Sequence, residues 1–197
     1  MRVGFLADVG YDGSGSERHL PWSVPRSGNG KPRPIVAGFD GVAFAAAWGR
    51  SGFVFTGSRA QYVAYRNLDL FISGREGVHQ VLEGHDQTFW GGAWSEMLPL
   101  SGSTGPLWID EDRLIILVQA RGRCMPFLVS RDGDARPLSE PDSITDVATV
   151  ATGGGRVTVV ASVNGQAVEV YELGLDDGGM RKITRQGSRR IAKVAFD

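Results

Sequence analysis

Apolar side chains in this chain come in short bursts rich in β-branched and aromatic residues, with glycine and aspartate between them. Phe53-Val54-Phe55-Thr56, Leu114-Ile115-Ile116-Leu117-Val118 and Val157-Thr158-Val159-Val160-Ala161 are typical. Such runs favour the pleated, half-buried environment of a sheet. No stretch of ten or more residues keeps a 3.6-residue apolar period, so helix is a minor component. The 28 glycines reinforce this reading, since tight turns need the positive φ that glycine adopts at little steric cost.

The bursts repeat. An apolar strand, a small turn and a short second strand recur three times: Asn67 to Gly74 leading to Gln80-Val81-Leu82, Met125 to Ser130 leading to Arg136-Pro137-Leu138, and Val168 to Leu173 leading to Lys182-Ile183-Thr184. The aromatic-to-aliphatic steps 71→82, 127→138 and 171→183 span 11, 11 and 12 residues. A weaker copy opens the chain as His19 to Pro25 followed by Arg33 to Val36. Before each later copy lies a further strand pair: Val42 to Trp48 with Phe53 to Thr56, Pro106 to Asp110 with Leu114 to Val118, and Ile144 to Val150 with Val157 to Ala161.

Four strands per unit, at roughly 40–60 residues per unit, is propeller-blade arithmetic. The expected fold is all-β, a partial β-propeller with about three complete four-stranded blades and partial blades at both ends. The pieces fall at about 1–38, 39–84, 85–140, 141–186 and 187–197, the last resting on Ile191 to Phe196. In the middle unit Trp94 and Trp108 compete as the innermost strand, and the short gap to Leu114 favours Trp108. Phe89 to Ser103 then becomes an enlarged connection, either functional or an idle apolar flap.

Charge narrows the partners. With 21 basic and 22 acidic residues the formal charge is −1, which supplies no field for a nucleic-acid backbone. No apolar run reaches the ~18 residues of a membrane span, and Met1 to Asp8 lacks a secretory apolar region. The single Cys124 excludes an internal disulfide framework and suits a reducing compartment. A cytoplasmic protein is expected.

Several motifs resemble those of prolyl-oligopeptidase-family (S9) propellers, the acylaminoacyl-peptidase and dipeptidyl-peptidase branch above all. Tyr11-Asp12-Gly13 with Glu17-Arg18-His19-Leu20 and Trp22-Ser23-Val24 is similar to the family's Lys-x-Asp-Gly…Arg-x-His-Leu-Trp-x-Val stretch. Asn67-Leu68-Asp69-Leu70-Phe71 resembles its Asn-x-Asp-Leu-Trp strand, and Trp108-Ile109-Asp110-Glu111-Asp112 its Trp-Ser-x-Asp-Gly turn. Arg121-Gly122-Arg123 before Phe127-Leu128-Val129 is similar to its Arg-Gly…Leu-Tyr-x-Val pair. Each motif is short and shared with other propellers such as TolB-like repeats. Trp48 to Gly52 lacks the family's Ser-Pro-Asp, and Glu111-Asp112 stands where Asp-Gly is expected. The resemblance ends at Asp197, ahead of the family's α/β-hydrolase domain, and no Gly-x-Ser-x-Gly elbow occurs in the chain.

Candidate chemistry is sparse, and no catalytic, cofactor-binding or metal residue is assigned. His19 lies in a strand motif, His79 on an outer strand, and His85-Asp86 in a turn, so no triad converges. The spacing of His79 and His85 misses common zinc patterns. Asp132-Gly133-Asp134 and Asp176-Asp177-Gly178-Gly179 carry too few oxygens for a calcium loop and suit hairpin turns. Gly153-Gly154-Gly155 reads as a hairpin loop, not a phosphate cradle. Cys124, between Arg121 and Arg123 in sequence, is expected to be structural. The basic run Arg181-Lys182…Arg185…Arg189-Arg190 is expected to pair across strands with Glu169, Glu172, Asp176 and Asp177 on a solvated edge, or to dock a missing domain.

About four blades do not close a ring. Each open end would bare about 600 Å² of apolar face, equivalent to at most about 15 kcal/mol at 25 cal/mol per Å². The expected partners are therefore a hydrolase domain or another copy of the chain through its open faces. The resemblance implies a non-catalytic propeller gating access of short peptides to a Ser-His-Asp hydrolase domain absent from this chain, which alone would be inactive. The alternative is a stand-alone propeller-like module binding a protein or peptide.

Overall fold

The computed structural model describes residues 2–11, 17–49, 52–59, 67–74, 77–81, 87–89, 105–120, 123–138 and 146–191. Four antiparallel sheets follow one another along the chain. Sheet 1 contains β1 (Arg2–Tyr11), β2 (Glu17–Pro25) and β3 (Arg33–Pro34). Sheet 2 contains β4 (Val42–Trp48), β5 (Phe53–Ser58), β6 (Asp69–Gly74) and β7 (Gly77–Val81). Sheet 3 is built from β8 (Leu107–Trp108), β9 (Arg113–Ala120), β10 (Arg123–Ser130) and β11 (Ala135–Pro137). Sheet 4 is built from β12 (Asp146–Gly153), β13 (Arg156–Ser162), β14 (Glu169–Leu173) and β15 (Met180–Lys182). Each sheet is a meander whose spatial order is the chain order.

The described residues thus form three complete four-stranded units and one partial unit. Trp108 is the innermost strand of sheet 3, paired with Leu114. At the C-terminal end Ile191 closes a short helix, α1 (Gln186–Ile191), where a strand was expected to begin; Arg189 and Arg190 in its last turn complement the helix dipole. Residues 192–197 lie outside the described residues, as do His85-Asp86, Gly13 to Ser16 and most of the connection from Phe89 to Ser103.

Period-two alternation explains the stacking. In β5, Phe53 and Phe55 face sheet 1 while Val54 faces sheet 3. In β9, Leu114, Ile116 and Val118 face sheet 2, and Ile115 and Leu117 face sheet 4. The result is three separate cores. The first joins Val36, Phe39, Ala43, Phe53, Phe55 and Phe71. The second interleaves Val54, Leu70 and Ile72 with Ile116, Phe127 and Val129. The third packs Ile115, Leu117 and Leu128 against Val157, Val159, Tyr171 and Leu173. No core among the described residues joins sheet 1 to sheet 4, so the stack is an open arc.

The first strands β4, β8 and β12 touch in succession along one edge of the arc. Glycine permits the close approach there. A Cβ on Gly49 would lie 2.6 Å from the Trp108 ring, and one on Gly4 would overlap the Trp48 indole. The Trp108 ring lies over the Gly49 backbone, and the Trp48 indole meets Gly4 through Nε1.

Candidate functional site

The groups singled out in the sequence separate in space. His19 sits in β2, half-buried, and His79 is exposed in β7 with Nε2 3.4 Å from the Arg131 carbonyl oxygen. Cys124 is fully buried in the core between sheets 3 and 4, as a structural thiol should be. Among the described residues no group of three His, Cys, Asp or Glu side chains is placed to hold a metal ion. No helix among them is long and apolar enough to cross a membrane.

The aspartate-glycine segments are turns. The Ser130 amide donates to the Asp134 carbonyl at 2.7 Å, and the Asp134 amide donates to Ser130 Oγ at 3.0 Å. The Gly179 amide donates to Asp177 Oδ1 at 3.0 Å. Gly154 and Gly155, at φ 57° and 73°, make the two-residue turn from β12 to β13, whose doubly positive φ matches the strand twist.

Asp110 closes the β8–β9 turn. Its Oδ1 accepts the Asp112 and Arg113 amides at 3.0 and 2.8 Å, and its Oδ2 accepts Arg113 Nε at 2.7 Å. Burial pushes the Asp110 pKa up, but these bonds and the Arg113 charge outweigh it, and the net shift is downward. The Asp112 carbonyl accepts the Arg131 amide at 2.8 Å, tying this turn to the one after β10.

The acidic and basic residues of sheet 4 divide into two arrangements, and one corrects the sequence reading. Glu172 pairs with Arg181 across the β14–β15 register and with Arg156 at 3.5 Å. The hydrogen bond from Arg181 lowers its pKa; partial burial opposes this, and the two arginine charges lower it further. Glu169 is not on a solvated edge and, among the described residues, pairs with no arginine. It is buried, and it accepts the Gln186 and Ser188 amides at 3.1 and 2.9 Å and the Thr184 and Ser188 hydroxyls at 2.5 and 3.0 Å. Desolvation would raise its pKa, yet four donors bring it down to about 2. Its role is to fasten α1 to β14. Thr184 and Ser188 are the sequence signal of this role, beside the more conspicuous arginines. Lys182 lies over the Tyr171 ring at 5.6 Å.

Large exposed apolar groups lie on two surfaces among the described residues. Trp48, 49% exposed, ends β4 and lies against Gly4 of β1 and the Phe53 ring. The outward face of sheet 1 bears Val3 and Phe5, 47% and 39% exposed, opposite Val24 and Trp22 in register. The Phe89-to-Ser103 connection is anchored where it leaves the core. Phe89 is buried between sheets 2 and 3, its amide donates to the Leu68 carbonyl at 2.9 Å, and Thr88 bridges to Gln119. Nothing in this set is a nucleophile beside a base; the arrangement offers surface and shape.

No protein-family model and no curated protein matches the sequence. Solved structures match the fold. The β-propeller domain of the Trilobed protease from Pyrococcus furiosus, described as having an open velcro topology, aligns with a TM-score of 0.65 at 11% identity over 98% of this chain and 52% of that one. The uncomplexed acylaminoacyl peptidase of Pyrococcus horikoshii aligns with a TM-score of 0.64 at 10% identity over 99% of this chain and 29% of that one. An acylaminoacyl peptidase in complex with Z-Gly-Gly-Phe-chloromethyl ketone aligns with a TM-score of 0.62 at 11% identity, over 98% and 28%. The chain thus spans about half of the first neighbour and under a third of the others. Four successive meander sheets, stacked face to face in this order, give the chain the propeller fold found in S9-type peptidases.

Proposed function

We propose that this chain is the propeller portion of a prolyl-oligopeptidase-like serine peptidase of the acylaminoacyl-peptidase type, covering a hydrolase domain and admitting short peptides to it. The observation that carries this reading is the fold match over nearly the whole chain to propellers of such enzymes. Two features support a covering role rather than a chemical one. The sequence holds no Gly-x-Ser-x-Gly elbow. The carboxylates of lowered pKa among the described residues, Asp110, Glu169 and Glu172, are all held in structural contacts. Rigid inter-sheet cores suit a cover that excludes folded substrates by size. The partners are then the hydrolase domain and, through it, the peptide substrate. Cys124, the single cysteine of the sequence, is buried, which fits a cytoplasmic setting.

The chain alone should neither turn over chromogenic acyl-peptide substrates nor take up a fluorophosphonate label. Added to the hydrolase domain of an acylaminoacyl peptidase, it should depress cleavage of long peptides more than short ones. A labelled residue in this chain, or an unchanged length preference, refutes the proposal.

A further inference from the structure

Two Asn-Gly steps occur in the chain, Asn29-Gly30 between β2 and β3 and Asn164-Gly165 between β13 and β14. An asparagine followed by glycine can cyclise without an enzyme, because glycine has no side chain to shield the attacking amide nitrogen. The fold treats the two steps differently. Asn164 and Gly165, at φ 52° and 71°, are the central residues of a turn closed by the Gln166 amide on the Val163 carbonyl at 3.0 Å. Positive φ at both positions is the signature of a type I′ turn. The Ser162 hydroxyl donates to the Gln166 carbonyl at 2.6 Å and fastens the same turn a second time. Ring closure at Asn164 needs the 164–165 peptide plane to swing towards Cγ, so this turn must open first.

Asn29-Gly30 has no such closure. The turn before it, held by the Gly28 amide on the Pro25 carbonyl at 3.0 Å, ends at Gly28. Residues 26–34 are exposed, and among the described residues nothing bonds to the Asn29 carboxamide or to the Gly30 amide. Yet glycine is required at position 30. Its φ is 154°, and a Cβ there would lie 2.9 Å from the Pro25 ring. The packing that fixes glycine here therefore leaves the reactive step uncovered. Arg26, Lys31 and Arg33 flank it, and no aspartate or glutamate occurs from Arg18 to Phe39. Nearby cations favour the deprotonated amide that attacks and the oxyanion that forms.

We propose that Asn29 is a site of spontaneous deamidation and that Asn164 is spared by its turn. The Gly30 nitrogen attacks Cγ of Asn29 and a C–N bond forms. The proton it loses departs with the carboxamide nitrogen as ammonia, leaving a succinimide. Water then adds to one of the two imide carbonyls and opens the ring. One opening gives aspartate, and the other gives isoaspartate, whose main chain runs through an extra carbon. Nothing is oxidised or reduced, and water is the only co-reactant. Either product places a carboxylate in a turn whose charged side chains are all cationic, so the charge of the β2–β3 turn falls with time. The inference stands on the two turns and is independent of the hydrolase reading.

The folded 197-residue chain is held in warm, mildly alkaline buffer. Peptide mapping by mass spectrometry follows each asparagine, and isoaspartyl methyltransferase with a labelled methyl donor counts isoaspartate. Asn29 should deamidate at least about tenfold faster than Asn164, since a turn open less than about one time in ten slows its step in proportion. In strong urea the Asn164 rate should rise to meet the Asn29 rate, which itself should change by less than about threefold. Asn29→Gln should abolish the fast phase of ammonia release and isoaspartate formation while the β-sheet circular dichroism is kept. An Asn29 that keeps its amide as long as Asn164 does, an Asn29 rate that climbs as steeply in urea, or a fast phase that survives Asn29→Gln overturns the proposal.

Discussion

Phe55 is the residue on which the attachment of sheet 1 turns. Its fully buried ring meets Phe39 edge-on at 4.9 Å and stacks on Phe71 at 5.1 Å, in a core that is the one layer holding sheet 1 among the described residues. Phe55→Ala removes the transfer free energy of a ring and leaves a cavity that β4 and β6, each paired on β5, cannot collapse to fill. The expected loss is about 3–5 kcal/mol, with the two aromatic contacts placing it in the upper half. Phe55→Leu, which keeps most of the volume, should lose roughly 1.5 kcal/mol or less. In a stack where each sheet touches only its neighbours, such a loss is local before it is global. Native-state hydrogen exchange should therefore show β1 and β2 amides losing protection in Phe55→Ala while those of β9 and β10 keep theirs. Urea titration gives the total. A cost below about 1 kcal/mol, or equal loss of protection in β9 and β10, refutes the account of separate cores.

Three further outcomes follow from the same structure. Glu169 has a folded pKa of about 2 against an ordinary 4.5, so its contribution is complete above the ordinary value and is lost as pH falls towards 2. Relative to Glu169→Gln, wild-type stability should shrink across that window, and a difference independent of pH would contradict the fourfold acceptor role. Gly49→Ala places a methyl against the Trp108 ring, and overpacking should cost about 1–3 kcal/mol in urea denaturation; a neutral variant would mean that the ring shifts freely. Arg181→Ala should cost under about 1 kcal/mol in thermal denaturation, because the Arg181 side chain is 71% exposed and water screens its pair with Glu172; a loss comparable to that of a core residue would be inconsistent with a solvated pair.

The strands were legible because both signals that specify a sheet are local. Alternation in Phe53-Val54-Phe55 and Leu114 to Val118 assigns faces, and glycine turns such as Gly154-Gly155 assign ends. The spacing from Trp108 to Leu114 placed the first strand of sheet 3 correctly, since a short tight turn leaves little choice of register. What stayed hidden depends on three dimensions. Glu169 looked like one more surface carboxylate because its four donors lie 15 to 19 residues away and become neighbours only when α1 folds back. The helix itself is six residues long, too short to display a period. The role of Asp110 in closing its turn depends on backbone geometry, which brings its carboxylate to the Arg113 amide. The Gly49–Trp108 contact joins two sheets, and nothing local announces it.

The same alternation limits where activity can reside. In β5 every position is buried, and in β10 six of eight are, because each middle strand packs on a neighbouring sheet through both of its faces. Such strands have no side chain to spare for chemistry. A polar group introduced there would forfeit apolar burial on one side and need a hydrogen-bond partner where the neighbouring sheet offers only side chains. Function must then sit on first strands, on turns, or on the outward faces of sheets 1 and 4, which is where Trp48, Asp110, Phe5 and the Arg156–Glu172–Arg181 row are found. These positions are set by the stack and contribute little to holding it together. Their substitution should leave stability nearly unchanged, the reverse of what substitution of Phe55 should do.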